Sequence, residues 1–153
     1  MSNLEKLITQ KTFENENQRG LISLSLGGNW ITSRHQQFFK QYGITMQQYN
    51  ILRILRGQHP NAASINVLKE RMLDKMSDVS RLVERLRKAD LVERKSSEMD
   101  RRAVDVRIND KGLELLKTIS EEVAQLDNAF KSLNEKEVIQ LNKLLDKMLE
   151  SYH

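Results

Sequence analysis

Apolar residues recur at helical spacing over most of this chain. Between Ser2 and about Gln41 they fall at Leu4, Leu7, Ile8, Leu21, Ile22, Leu24, Leu26, Trp30, Ile31, Phe38 and Phe39, which predicts a short helix, a break in the Asn-rich ENENQRG, and a longer helix. Gly27 and Gly28 predict a bend or a close helix contact rather than one straight rod. In ITMQQYNILRILRG, Thr45 and Gln48 have capping-box spacing ahead of a stripe of Met46, Tyr49, Ile51, Leu52 and Leu55, with Gly57 as its end. A loop, QHPNAA, leads to Ser64, a candidate N-cap for the short helix SINVLKERML.

From Met76 the chain reads MSDVSRLVERLRKADLVER. Val79, Leu82, Val83 and Leu86 make a buried face, the opposite face carries Asp78, Arg81, Arg85 and Lys88, and Ser77 is the expected N-cap. The period then changes. LVERK and AVDVRIN alternate at period two, as strands of a hairpin do. Asn109 opens a helix with Leu113, Leu116, Ile119, Val123, Leu126 and Phe130 on one stripe, and Asn134 with Glu137 caps a last helix through VIQLNKLLDKMLESY.

At 153 residues the chain is the size of one domain with extensions. It has no cysteine, which excludes disulfides, thiolate zinc sites and thiol redox chemistry and suits a reducing cytoplasm. No window approaches the apolar length of a membrane span, and the N-terminus lacks a signal-peptide pattern. The net charge of +4 is unevenly spread: +4 over residues 1–63, +3 over 64–111 and −3 over 112–153. That is weak support for a basic face meeting a polyanion, with the C-terminal helices serving another purpose.

Helix, short helix, helix with a basic outer face, then hairpin is the order of a winged helix-turn-helix, whose second helix enters a major groove. The expected fold class is therefore mainly α with a small β-hairpin wing, plus N- and C-terminal helices. Lys75, Ser77, Asp78, Ser80 and Arg81 supply hydrogen-bonding groups at the start of the reading helix, and Arg81 has the best chemistry for a guanine edge. Arg85 and Lys88 would lie nearer the phosphates, as would Arg94 and Lys95 on the rising strand. Arg101 and Arg102 stand at the hairpin tip, where a guanidinium reaches a narrow minor groove. The plainer reading is an amphipathic helix with a solvated face and a surface hairpin whose arginines pair with Glu98, Asp100 and Asp105.

Three stretches, ITMQQYNILRIL, SDVSRLVERLRKADLVERKSSEMDRRAVDVRIND with its following KG, and LNEKEVIQLNKLLDKML, resemble the MarR family of bacterial transcription regulators over roughly residues 25–150. The resemblance implies that Ser77 through Arg81 begin the recognition helix and that Arg101 and Arg102 lie in the wing, with Asp100 orienting a wing arginine through a charge-assisted hydrogen bond. It also implies a two-fold homodimer built from residues 1–40 and 110–153 around a DNA-binding lobe of 41–109, the whole being one continuous domain. Two positions depart from the family pattern. Asp90 stands where Gly is usual, though Asp tolerates the left-handed conformation. Lys69 replaces a small Ala and would have to snorkel or widen the helix crossing.

Relatives answer to small phenolic or amphipathic ligands, and by that resemblance Trp30, His35, Tyr49 and Arg53 are candidate cleft residues. The simpler expectation puts Trp30 and Tyr49 in the core and Arg53 in solvent. The three histidines are isolated, so no metal site or cofactor is expected, and no catalytic constellation is legible. The expectation is a cytoplasmic, homodimeric regulator, a repressor of the MarR type, that binds a pseudo-palindromic double-stranded operator and is not an enzyme. Its competitor is a helical dimeric interaction module with a winged fold and no DNA binding.

Overall fold

In the computed structural model, which describes residues 3–9, 12–96 and 104–150, the chain falls into two units, Met1–Met46 and Gln47–His153. The first holds α1 (Asn3–Ile8) and α2 (Glu16–Lys40). The Asn-rich stretch is not a separator throughout. Asn15 caps α2 by accepting from Gln18 N, because an Asn side chain satisfies an amide that the helix cannot. The helix then runs unbroken through Gly20, Gly27 and Gly28. A Cβ placed on any of the three would meet nothing within 4 Å, so among the described residues of this chain no close contact forms at Gly27. At its C-terminal end Phe38 packs edge-on against Phe39 and tilted against Tyr42, with centroids 5.1 and 5.4 Å apart, and Phe38, Phe39 and Ile44 are buried.

The second unit comprises α3 (Met46–Gln58), β1 (Ala63–Ser64), α4 (Ile65–Arg71), α5 (Val79–Lys88), β2 (Val92–Ser96), β3 (Val104–Ile108), α6 (Asp110–Glu122), a 3₁₀ helix (Val123–Phe130) and α7 (Glu135–Leu149). This is the expected mainly α fold with a small hairpin. Helix α3 passes one residue beyond Gly57. The hairpin is joined by a third strand that periodicity missed. Two-residue β1 pairs antiparallel with β3, giving the order β1-β3-β2. Its Ser64 also caps α4, accepting from Val67 N.

The core of this unit is assembled from one face of each element. Ile51, Leu52 and Leu55 of α3, Leu68 of α4, Val79, Val83 and Leu86 of α5, Val106 and Ile108 of β3, and Leu116 and Ile119 of α6 are essentially inaccessible. Leu68 is the buried position of α4, whereas Lys69 is exposed. The lysine therefore lies outside the buried face of α4.

Helix α5 begins one residue later than expected. Asp78, not Ser77, is the N-cap, its Oδ1 accepting from Arg81 N at 3.0 Å. At the other end Asp90 has φ of 58°. Leu91 N donates to Leu86 O and Asp90 N to Arg87 O, both at 3.0 Å, which together make a Schellman C-cap with a left-handed aspartate at its pivot. Leu86 and Leu91, both buried, supply its hydrophobic contact.

The long helix expected from Asn109 is shorter. Asn109 does cap α6, accepting from Gly112 N at 2.9 Å, but the α-helix stops at Glu122 and continues as 3₁₀. Leu116 and Ile119 are buried while Val123 and Leu126 are only half-buried and Phe130 is 40% exposed. The packing that holds a helix in register is thus lost where its geometry changes. Helix α7 has both halves of the capping box, Asn134 with Glu137.

Candidate nucleic-acid interface

The turn between α4 and α5 is fixed by side chains. Asp74 accepts from Met76 N through Oδ1 at 3.0 Å and from the Ser77 hydroxyl through Oδ2 at 2.9 Å. Its carboxyl is held below the usual carboxylate range, chiefly by that Ser77 hydroxyl and then by the Met76 amide. Lys75 Nζ donates to Glu70 O, and Leu73 N donates to Asn50 Oδ1 across from α3. Between buried Met72 and the helix, the exposed residues of the turn are therefore set in place by polar side chains.

Beyond the turn, α5 divides its two faces cleanly. Val79, Val83 and Leu86 are buried, while Ser80, Arg81, Arg85 and Lys88 are exposed. Arg81, Arg85 and Lys88 follow each other at i, i+4 and i+7, one stripe of cations along one side. Arg81 and Arg85 form no ion pair among the described residues. The flank differs. Glu84 accepts from Arg87 Nη2 at 2.8 Å and Arg87 Nε at 3.0 Å, and Arg94 Nη1 of β2 lies 3.7 Å from the same carboxylate. The Arg87 hydrogen bonds keep Glu84 below its ordinary titration range. Charge is thus compensated on the flank, where Glu84 also feels the Lys88 charge, whereas Arg81 and Arg85 form no ion pair among the described residues.

The structure brings together Lys75, Ser77, Asp78, Ser80, Arg81 and Arg85 on one turn and the helix it opens. Two of them have structural duties: Asp78 caps the helix, and Ser77 donates to Asp74. Arg94 is partly engaged by Glu84, and Lys95 stands directly opposite Asp105 in the hairpin register. Arg101, Arg102 and Asp100 lie outside the described residues.

The base of the hairpin is clamped to α5. Asn109 N donates to Leu91 O and Asn109 Nδ2 donates to Asp90 O at 3.0 Å. Gly112 passes so close that a Cβ there would collide with Leu91 O and lie 2.7 Å from Ile108 Cγ1. One asparagine and one glycine therefore tie together the end of α5, the end of β3 and the start of α6.

Sequence reasoning did not pick out Asp74, Asn50, Glu84 or Arg87. Asp74 had a legible signal, an aspartate three residues ahead of a serine at a helix start. Asn50 had none, because its partner is 23 residues away.

The four cleft candidates are divided between the units. In the first, Trp30 is 49% exposed, not core, and Arg34 lies over its ring at 5.3 Å. His35 Nδ1 is 3.1 Å from Met46 Sδ, and its pKa is lowered by partial burial and then by the Arg34 charge. In the second, Tyr49 is half-buried and exposed Arg53 lies over its ring at 5.9 Å. Among the described residues no cluster of metal-ligating side chains occurs, and no helix is long and apolar enough to cross a membrane.

Comparison with known proteins agrees with this geometry. A model of the MarR family matches residues 42–103, which span α3 to the hairpin. The HTH-type transcriptional regulator MgrA of Staphylococcus aureus is 34% identical over 117 residues, covering 74% of this chain and 76% of the relative. Among solved structures, a MarR transcription factor from Planctomyces limnophilus is 30% identical with a TM-score of 0.70, over 88% of this chain and 98% of that one. BpsR of Bordetella bronchiseptica, whose DNA binding is regulated by 6-hydroxynicotinic acid, is 25% identical with a TM-score of 0.67, over 82% and 98%.

Proposed function

We propose, from the premise that this chain belongs to the MarR family and is a DNA-binding transcriptional regulator, that it acts as a homodimeric repressor on a pseudo-palindromic double-stranded operator. The observation that carries this reading is the cationic stripe of α5, where Arg81 and Arg85 form no ion pair among the described residues on a helix fixed at both ends. A helix so held fits a major groove about 12 Å wide. Arg81 reads a base edge, Arg85 and Lys88 meet phosphates, and Lys75, Ser80 and Lys95 add backbone contacts. Arg101 and Arg102 serve as the wing contacts, with Asp100 bracing one of them.

The dimer would be built from the two ends of the chain. Leu21 and Leu24 of α2 and Ile139, Leu144, Met148 and Leu149 of α7 are all at least 43% exposed, an unusual load of uncovered apolar surface for helices of a monomer. Two α5 helices held one helical turn apart would read two half-sites, and occlusion of a promoter would repress. By analogy with BpsR, a small amphipathic or phenolic effector would modulate affinity, with Trp30, His35, Tyr49 and Arg53 each a candidate contact to be replaced singly. A regulator of this kind would work in the cytoplasm and act by binding rather than by catalysis.

The test is gel retardation with duplexes selected from genomic fragments, across a salt series. Arg81→Ala is expected to cost about 1–3 kcal/mol and to relax preference at one base pair, whereas Arg101→Ala with Arg102→Ala weakens all sequences and flattens the salt slope. Retardation that survives both changes unaltered would overturn these contacts. A wild-type protein that retains no fragment would leave the interaction-module reading in their place.

A further inference from the structure

One apolar side chain stands among the polar groups of the α4–α5 turn. Met76 is 93% exposed, more than any other large hydrophobic residue among those described. A lone exposed apolar residue ordinarily needs no explanation, but Met76 differs in two respects. Its amide is pinned by Asp74 Oδ1, and the residues on either side of it are also tied down, Lys75 to Glu70 O and Ser77 to Asp74 Oδ2. The turn thus holds the chain in one shape while directing a flexible thioether outward. It also stands two residues before the cap of α5, on the turn that leads into the helix's exposed Ser80 and Arg81.

We propose that Met76 is a specificity-determining residue that packs its thioether against the 5-methyl group of a thymine in the major groove. This rests on the reading of α5 as a helix that enters that groove. The polar groups around it supply donors and acceptors for base edges and phosphates, but none supplies an apolar surface. In the major groove the thymine methyl is the one base feature that asks for such a surface. An unbranched, polarizable side chain adapts its shape to a methyl group better than a branched one. Leu73, 74% exposed on the same turn, lies further from the helix start and is the natural internal comparison.

The experiment uses a duplex that the full-length wild-type protein selects from a randomised pool, and replaces each thymine in turn by deoxyuridine, which removes the methyl group alone. Wild type is expected to lose about four-fold in affinity at one position of each half-site, the size expected for withdrawing one methyl group from an apolar contact. Met76→Ala should lose a similar factor on the thymine duplex and then be indifferent to deoxyuridine there. Met76→Leu should keep most of the discrimination, and Leu73→Ala should keep all of it. Because Met76 touches so little of its own chain, its variants should fold as wild type does, checked by circular dichroism. If Met76→Ala binds the thymine duplex as wild type does, or still discriminates thymine from deoxyuridine, the proposal is wrong. Should that happen while Arg81→Ala still weakens binding, the groove-reading helix stands and only Met76 loses its role; if no duplex is selected at all, both fall.

Discussion

Helices α5 and α7 are both amphipathic, yet their apolar residues are used differently. On α5 Val79, Val83 and Leu86 are buried by the unit that contains them, whereas on α7 Ile139, Leu144 and Met148 are 47%, 59% and 46% exposed. The difference lies in what surrounds each helix. α5 is linked to α4 and β2 by connections of a few residues, so its stripe is covered by elements that arrive with it. α7 follows a 3₁₀ segment and has nothing comparable beside it among the described residues. Periodicity says that a face will be buried; it does not say whether by the same chain or by a second copy.

The largest effect is therefore expected from charging the uncovered stripe. Leu144→Arg should leave the fold of the monomer intact, because the side chain is exposed there, but should convert a dimer to a monomer in sedimentation. Operator affinity should fall on the order of 10²-fold or more as the two half-sites lose their shared effective concentration. An unchanged dimer would remove α7 from the interface. Next in size is Gly112→Ala, aimed at the covered half of the comparison. The new Cβ must displace Leu91 O and Ile108, costing about 1–3 kcal/mol of stability in urea unfolding, since overpacking outweighs the gain in helix propensity. If the variant is as stable as wild type, the junction of α5, β3 and α6 is looser than its contacts imply.

The sequence exposed the covered half well, for a physical reason. The stripe of α5, the period-two hairpin and the caps at Ser64 and Asn109 are local patterns that depend on residues within a few positions. Strand β1 was missed because two residues carry no periodicity, and its existence depends on Val106 and Asp105, some forty positions away. Ser77 reads as the cap because Ser and Asp compete at adjacent positions with similar propensity. Asp74 settles the choice by engaging the serine hydroxyl, leaving Asp78 to the helix. The stripe through Phe130 reads as one helix because its spacing does not reveal that cover ends after Ile119. Of the interface, the cations were legible and the turn that aims them was not, since Asn50 acts at long range.

Asp78→Ala probes the turn directly. Loss of the cap should cost about 1 kcal/mol of stability and reduce DNA affinity through fraying of the first turn of α5. Asp78→Ser should recover both, whereas a carboxylate that contacts a base would not be replaced by serine. His35 gives a gentler effect in the first unit. Its folded pKa lies below the ordinary value of 6.5, through burial and then Arg34, so the unfolded chain takes up the proton first. Stability is full above pH 6.5 and is lost as pH falls from there through the folded pKa. His35→Gln should flatten that part of a pH series of unfolding midpoints, and an unaltered slope would show that another group sets it.

Asp90→Gly tests the smallest contribution and has the least obvious sign. At φ of 58° an L-residue strains against its own carbonyl and glycine does not, which favours the variant. Two losses oppose it: the Lys111 Nζ to Asp90 Oδ2 pair at 3.6 Å, with side chains 62% and 77% exposed, and the greater freedom of glycine in the unfolded chain. An ion pair so exposed contributes little, and aspartate relieves only part of the left-handed strain. The net expectation is a gain of about 0.5 kcal/mol, read as a higher urea midpoint at unchanged slope. Asp90→Ala should move the other way, having neither the glycine's freedom nor a polar side chain to offset the strain. The hydrogen bond from Asn109 Nδ2 goes to the backbone carbonyl of residue 90, so either variant should retain the clamp on the hairpin and bind operator as wild type does. A destabilised Asp90→Gly would mean that the Lys111 pair matters more at this Schellman turn than its exposure implies.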